Sequence, residues 1–200
     1  MELLLYIKGE FMSKELTRRM RKKPEFIQGL LDMLDYIDEN SKFDLSRAVM
    51  IEIGSYLGES SEIFAGKVST LYCIDPWKSG YDPSDYASWK YDLEEVYATY
   101  KKRMNRFNNV TTIRETSKEA NTKMKDQFDI VYIDGNHQPK YVKEDLEMWT
   151  PLVSNLGWIC GHDYGHKDYP ELQEVVDTFC KGKPDMVFKD TSWCIKKEHI

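Results

Sequence analysis

The sequence predicts an α/β domain built on a mostly parallel, seven-stranded sheet, and three observations carry that prediction. Seven short apolar runs alternate with stretches of helical period. A glycine turn joins the first strong run to a helical pattern, and acidic residues stand at the ends of successive runs. Parallel neighbours need crossover connections, so such alternation implies helices on both faces of a parallel sheet.

Taken in order, residues 1–47 precede the first strand and carry Phe26, Leu30, Leu34 and Ile37 at helical spacing, flanked by Leu31 and Met33. This predicts an N-terminal helical cap packed on the sheet or over its site. Met12 reads as an alternative start. Strands are expected at 48–53, 70–74, 110–113, 128–133, 157–160, 185–189 and 192–196, and helices at 58–66, 84–107, 117–124, 139–150 and 168–181. Pro139 suits a first helical turn, while Gly182 and Pro184 suit a stop. Only Asp190 and Thr191 separate the last two runs, which predicts an antiparallel edge strand. Residues 48–200 are thus expected to form one Rossmann-like three-layer sandwich.

A chain of 200 residues buries roughly 70% of its unfolded surface, enough for one domain with a substantial core. With 41% hydrophobic and 31% charged residues, neither a disordered nor a membrane protein is indicated. The net charge of −6 argues against a general nucleic-acid binder, whose affinity rests on a basic surface, and favours a small or neutral substrate. The basic cluster Arg18, Arg19, Arg21, Lys22 and Lys23 reads as a solvated helix face or a contact for an acidic partner. Cys73, Cys160, Cys180 and Cys194 form no CxxC pair and read as buried free thiols of a reducing compartment. Glu2 stands where a signal peptide would be basic and the first apolar run is short, so the expectation is a cytoplasmic protein without a membrane span. Oligomeric state stays open, a homo-oligomer included.

The segment EIGSYLGESS (52–61) follows the first strand and enters a helical pattern. Its glycines allow a sharp turn and close approach of a ligand, and the helix start offers unpaired N–H groups. The spacing is GxxxG, without the dinucleotide fingerprint GxGxxG. Asp75 ends the next run, 23 residues after Glu52, where a carboxylate can bond both hydroxyls of a ribose. Together these residues predict an adenosine-cofactor site.

EIGSYLGESS, YCIDPW, FDIVYIDGNH and WICGHDY occur in that order at the expected strand ends. In them the chain from about 48 to 181 resembles the class I S-adenosylmethionine-dependent methyltransferases, particularly the small O-methyltransferase-like group with cephalosporin-hydroxylase-type, macrocin-type and sugar methyltransferases. The resemblance implies S-adenosylmethionine as cofactor. Gly54, Tyr56, Gly58 and Ser60 would hold its methionine part, with Glu52 near the amino group and Asp75 on the ribose. Thr116 and Ser117 would meet the adenine, although the family often carries an acid where Thr116 stands. Trp77 reads either as packing on the adenosine or as a core aromatic.

Asp134 ends the fourth run and would face the cofactor's methyl end, since ligands of such sheets lie outside the carboxyl ends of the strands. The next strand finishes at His162 and Asp163. Asp134, His162 and Asp163 are adequate ligands for a divalent metal; His162 replaces an acid or amide of the metal-dependent relatives and shifts preference from magnesium toward a transition metal. His137, three residues after Asp134, is the candidate base for an acceptor hydroxyl, where catechol-type relatives carry a lysine. His166 is the alternative base or an extra ligand, Tyr141 and Tyr164 are candidate pocket residues, and His199 is set aside. Residues 80–89 show no period and read as a lid or acceptor wall.

The expected function is O-methylation of a hydroxylated small molecule or sugar. Two alternatives stay open. The acid after the second strand would also serve a nicotinamide-dependent oxidoreductase, against which stand the missing fingerprint and the lack of a Tyr/Lys arrangement. A non-catalytic S-adenosylmethionine-binding module would share the fold without its chemistry.

Overall fold

A computed structural model of the chain describes residues 24–200 in full and, before them, the backbone of residues 5–7 and 10–12. Strands β1 (Leu5–Ile7) and β2 (Glu10–Met12) form a small antiparallel pair within a region expected to be helical. The basic cluster at 18–23 lies outside the described residues. Helix α1 (Pro24–Asn40) carries that helical spacing and buries Ile27, Leu30, Leu31, Met33, Leu34 and Ile37.

The main sheet follows with β3 (Val49–Ile53), α2 (Glu59–Ala65), β4 (Thr70–Ile74), α3 (Ala87–Lys90), α4 (Leu93–Met104) and β5 (Val110–Ile113). It continues through α5 (Ser117–Asn121), β6 (Phe128–Ile133), α6 (Pro139–Trp149), β7 (Val153–Gly161), α7 (Glu171–Phe179), β8 (Met186–Val187) and β9 (Trp193–Lys196). The helix expected over 84–107 is two helices. Tyr91 is extended between them (φ −101°, ψ 154°), and the Asp92 side chain accepts a hydrogen bond from Glu94 N to restart the chain as α4.

Strand order is β5-β4-β3-β6-β7-β9-β8, with the first five strands parallel and the β8–β9 hairpin antiparallel to its neighbours at the edge. Period-two alternation divides the core into two layers. Met50, Cys73, Tyr132 and Trp158 face α1, α2 and α4, whereas Ile51, Ile74, Val131 and Ile159 face α6 and α7. Each large apolar side chain fully buried this way contributes roughly 1.5–3 kcal/mol. All four cysteines are free and buried, and no described helix is long and apolar enough to cross a membrane.

This topology positions the site. From β3 the chain winds outward through β4 to β5, then returns to the other side of β3 as β6, so a crevice opens at the carboxyl ends of β3 and β6.

Candidate active site

A cavity of about 620 Å³ occupies that crevice, lined by Gly54, Tyr56, Ser60, Asp75, Asp134, His137, His162 and Asp163 among others. Its floor is a backbone crossing. Gly54 has φ 89°, and a Cβ there would lie 1.8 Å from the carbonyl oxygen of Asp134. Only glycine lets the β3 turn pass the β6 turn at this distance.

The turn is held from below and beside. Glu52 is fully buried, and its carboxylate accepts hydrogen bonds from Ser55 Oγ (2.7 Å), Ser60 Oγ (2.5 Å) and Ser61 Oγ. Burial raises its pKa against those three bonds. Asp75 accepts from Tyr56 N (2.9 Å) and Trp77 N (2.7 Å), one on each oxygen, which leaves each oxygen further acceptor capacity. Tyr56, Trp77 and Asp163, each just beyond a strand end, have φ of 42°, 42° and 62°. Left-handed backbone at non-glycine residues is strained, and of these three Tyr56 and Asp163 line the cavity.

Several expected cofactor residues do not reach the cavity. Glu52 stands beneath the glycine turn and supports it, because its oxygens are spent on serines. Trp77 is 2% exposed, packed against Tyr97 and Tyr100, with Nε1 donating to Tyr56 O (2.9 Å). That is the core-aromatic role. Gly58 caps α2 (φ 76°) under Tyr100, and Thr116 caps α5 through a reciprocal bond with Glu119. Ser117 does line the cavity, in a chain where Trp149 Nε1 donates to Ser117 Oγ (2.8 Å) and Ser117 Oγ donates to Asp145 (2.5 Å). Burial pushes the Asp145 carboxyl up to about 7, against that bond from Ser117.

Across the cavity the two polar loops converge. His137 Nε2 lies 3.1 Å from Asp163 Oδ2 and 3.8 Å from Asp134 Oδ1. His162 Nδ1 lies 3.1 Å from Asp163 Oδ1 and 3.9 Å from Asp134 Oδ1. Donor atoms of Asp134, His162 and Asp163 all fall within 4.8 Å of one another, an arrangement that fits a divalent cation with hard and borderline donors.

Two carboxylates of this centre escaped the sequence reading. Asp82, from the expected wall segment, accepts from the His137 backbone N–H (2.7 Å) and lies 2.8 Å from His137 Nδ1. Its other oxygen accepts from Ser84 N (2.9 Å), so in sequence it looks like an ordinary turn residue. Asp190, from the β8–β9 turn, stands 3.9 Å from His162 Nε2. Tyr169 stacks on His137 with ring centroids 4.3 Å apart. His166 lines the cavity, whereas Tyr164 donates to Asp177 (2.7 Å) and neither it nor Tyr141 is a lining residue.

The charges follow from these contacts. Burial opposes a charge on His137, but Asp134, Asp163 and Asp82 outweigh it and hold its pKa far above the imidazole range. His162 balances burial against Asp134 and Asp163 and rests at about 9. Asp163 is held well below the carboxylate range, burial being overcome by His137 and His162.

A family model described as a methyltransferase domain matches residues 51–164, more than half the chain, and the chain belongs to that family, among the class I methyltransferases. No curated protein sequence matches it. Solved structures share the fold at low identity. They include the N-methyltransferase NodS of Bradyrhizobium japonicum WM9 (10% identity, 86% of this chain and 93% of that one, TM-score 0.57). Others are a candidate methyltransferase of Streptococcus mutans in complex with SAH (10%, 83% and 94%, 0.57) and an rRNA methylase of Streptococcus thermophilus (12%, 74% and 78%, 0.53).

Proposed function

We propose that this methyltransferase uses S-adenosylmethionine to O-methylate a hydroxylated small molecule or sugar, with a divalent metal at Asp134, His162 and Asp163. One observation carries the proposal: the Asp134–His137 and His162–Asp163 loops converge on the cavity that the Gly54 turn and Asp75 also line. The cavity wall further includes Asp82, Asp85, Asp145 and Asp190, with Lys78 and Lys189 as its lysines. A wall so acidic repels a polyanion and favours a neutral acceptor.

Bound S-adenosylmethionine supplies a methyl group made electrophilic by its sulfonium. Asp75 would accept from the ribose hydroxyls with its remaining lone pairs, and the Gly54–Tyr56 backbone and Ser60 would hold the methionine end. Ser117 is the candidate for the adenine side. Asp134, a cavity-lining carboxylate whose backbone carbonyl abuts Gly54, would orient the acceptor oxygen for in-line attack. His137, clamped by Asp82 below and Tyr169 beside, would take the hydroxyl proton once neutral. Asp134, His162 and Asp163 would hold a divalent ion, whose positive charge would supply Lewis-acid polarisation and offset the carboxylates now holding the His137 proton.

Screening hydroxylated metabolites and glycans with methyl-labelled cofactor, with and without a chelator, tests this. Label is expected on an oxygen of a small acceptor and is expected to fall when the metal is removed. Label on nitrogen or on RNA, or transfer indifferent to chelation, would overturn the corresponding part.

A further inference from the structure

We infer that Asp190 is a positioning residue for the cation site: it holds the Nε2 edge of His162, so that Nδ1 is the nitrogen turned toward Asp134 and Asp163. The inference rests on the metal role proposed above for that cluster. His162 Nδ1 is the atom in the cluster, 3.1 Å from Asp163 Oδ1. Its other nitrogen, Nε2, is buried without a hydrogen-bond partner, and so is Asp190 Oδ2, 3.9 Å away. The two side chains are 10% and 0% exposed, so water does not satisfy them in bulk.

A donor and an acceptor left unpaired side by side in a dry place are each costly, and a shift of about 1 Å brings them into bonding range. An acceptor on Nε2 keeps the proton there and leaves the Nδ1 lone pair free for a cation, the usual outer partnership of a ligating histidine. Asp190 is built for that task. Its Oδ1 accepts from Ser192 N (3.1 Å) and Ser192 Oγ (2.6 Å), which leaves Oδ2 to face His162. Opposite stands Gly29 of α1, where a Cβ would lie 2.0 Å from Asp190 Oδ1. Helix α1 and the β8–β9 hairpin, far apart in sequence, therefore meet over the outer edge of His162, with Phe26 edge-on to its ring at 5.7 Å.

Calorimetric titration of the metal-stripped full chain with Mn²⁺ and with Zn²⁺ tests this. Asp190→Asn keeps the shape and an oxygen for Ser192 but turns an amide N–H toward Nε2, favouring the wrong tautomer. It is expected to bind about 10–100-fold more weakly while melting near the wild-type temperature. Gly29→Ala, which pushes the carboxylate from another element, is expected to act in the same direction. Imidazole ¹⁵N spectra of the Zn²⁺-loaded wild type, which need no variant, are expected to show His162 metal-bound at Nδ1 and protonated at Nε2. Wild-type affinity in Asp190→Asn, or coordination through Nε2, overturns the inference and leaves the metal role standing. A wild type that binds neither ion overturns both.

Discussion

At the scale of single residues, Gly54 is what lets the β3 and β6 turns pass each other. Gly54→Ala places a methyl group against the Asp134 carbonyl and demands a left-handed conformation, so both the β3 and β6 turns must move. Thermal denaturation is expected to show a loss on the order of 2–4 kcal/mol, together with lost S-adenosylmethionine binding by calorimetry. His137→Ala is expected to leave cofactor binding intact and lower methyl transfer about 10²–10⁴-fold, measured with the acceptor that the label screen identifies. Gly54, Asp75, Asp134 and Asp163 could be singled out from the sequence because each lies at or just past the end of an apolar run, and His137 because it follows Asp134 by three residues. Asp82 and Asp190 could not. Each makes a local turn bond to a serine two residues on, and only folding brings its second oxygen to a histidine 55 or 28 residues away.

Among the elements, the loop between β4 and α4 has the most specific role. It supplies Tyr81, Asp82, Asp85 and Ser88 to the cavity wall, and Asn136 Nδ2 donating to Tyr81 O (2.8 Å) ties it to the His137 loop. Asp82→Ala removes the bonds to His137 and to Ser84, so amide hydrogen exchange over 81–88 is expected to accelerate relative to the sheet strands. Unchanged protection there would show that Asp82 does not hold the loop. Trp77 tests the opposite assignment. Trp77→Phe loses the bond to Tyr56 O and is expected to cost about 1–2 kcal/mol in stability by denaturant unfolding, a core effect that does not require cofactor. The strand set and most helix positions were readable from period and capping, because burial on both faces makes parallel strands continuous apolar runs. The split between α3 and α4, the early start of β7 at Val153 and the β1–β2 pair were not, since each is decided by partners rather than by local pattern.

For the whole molecule, sheet order places the glycine turn and the Asp134–His162–Asp163 cluster on either side of one switch point, with a core layer packed on each face of the sheet beneath it. The polar chain from Trp149 through Ser117 to Asp145 carries a pH signature. The folded state raises the Asp145 carboxyl from 3.8 to about 7, so between these values the folded protein keeps a proton that the unfolded chain releases. Stability therefore falls as pH rises through that window, by at most about 1.4 kcal/mol per pH unit. Asp145→Asn is expected to flatten that decline in melts run from pH 4 to 8. The central claim, that this crevice is a methyl-donor site, is tested most directly by calorimetric titration of the full chain with S-adenosylmethionine and, in parallel, with NAD(P). The expected result is one equivalent of S-adenosylmethionine bound, sharply weakened in Asp75→Ala, and no heat from the dinucleotides; tight NAD(P) binding with no response to S-adenosylmethionine would contradict it.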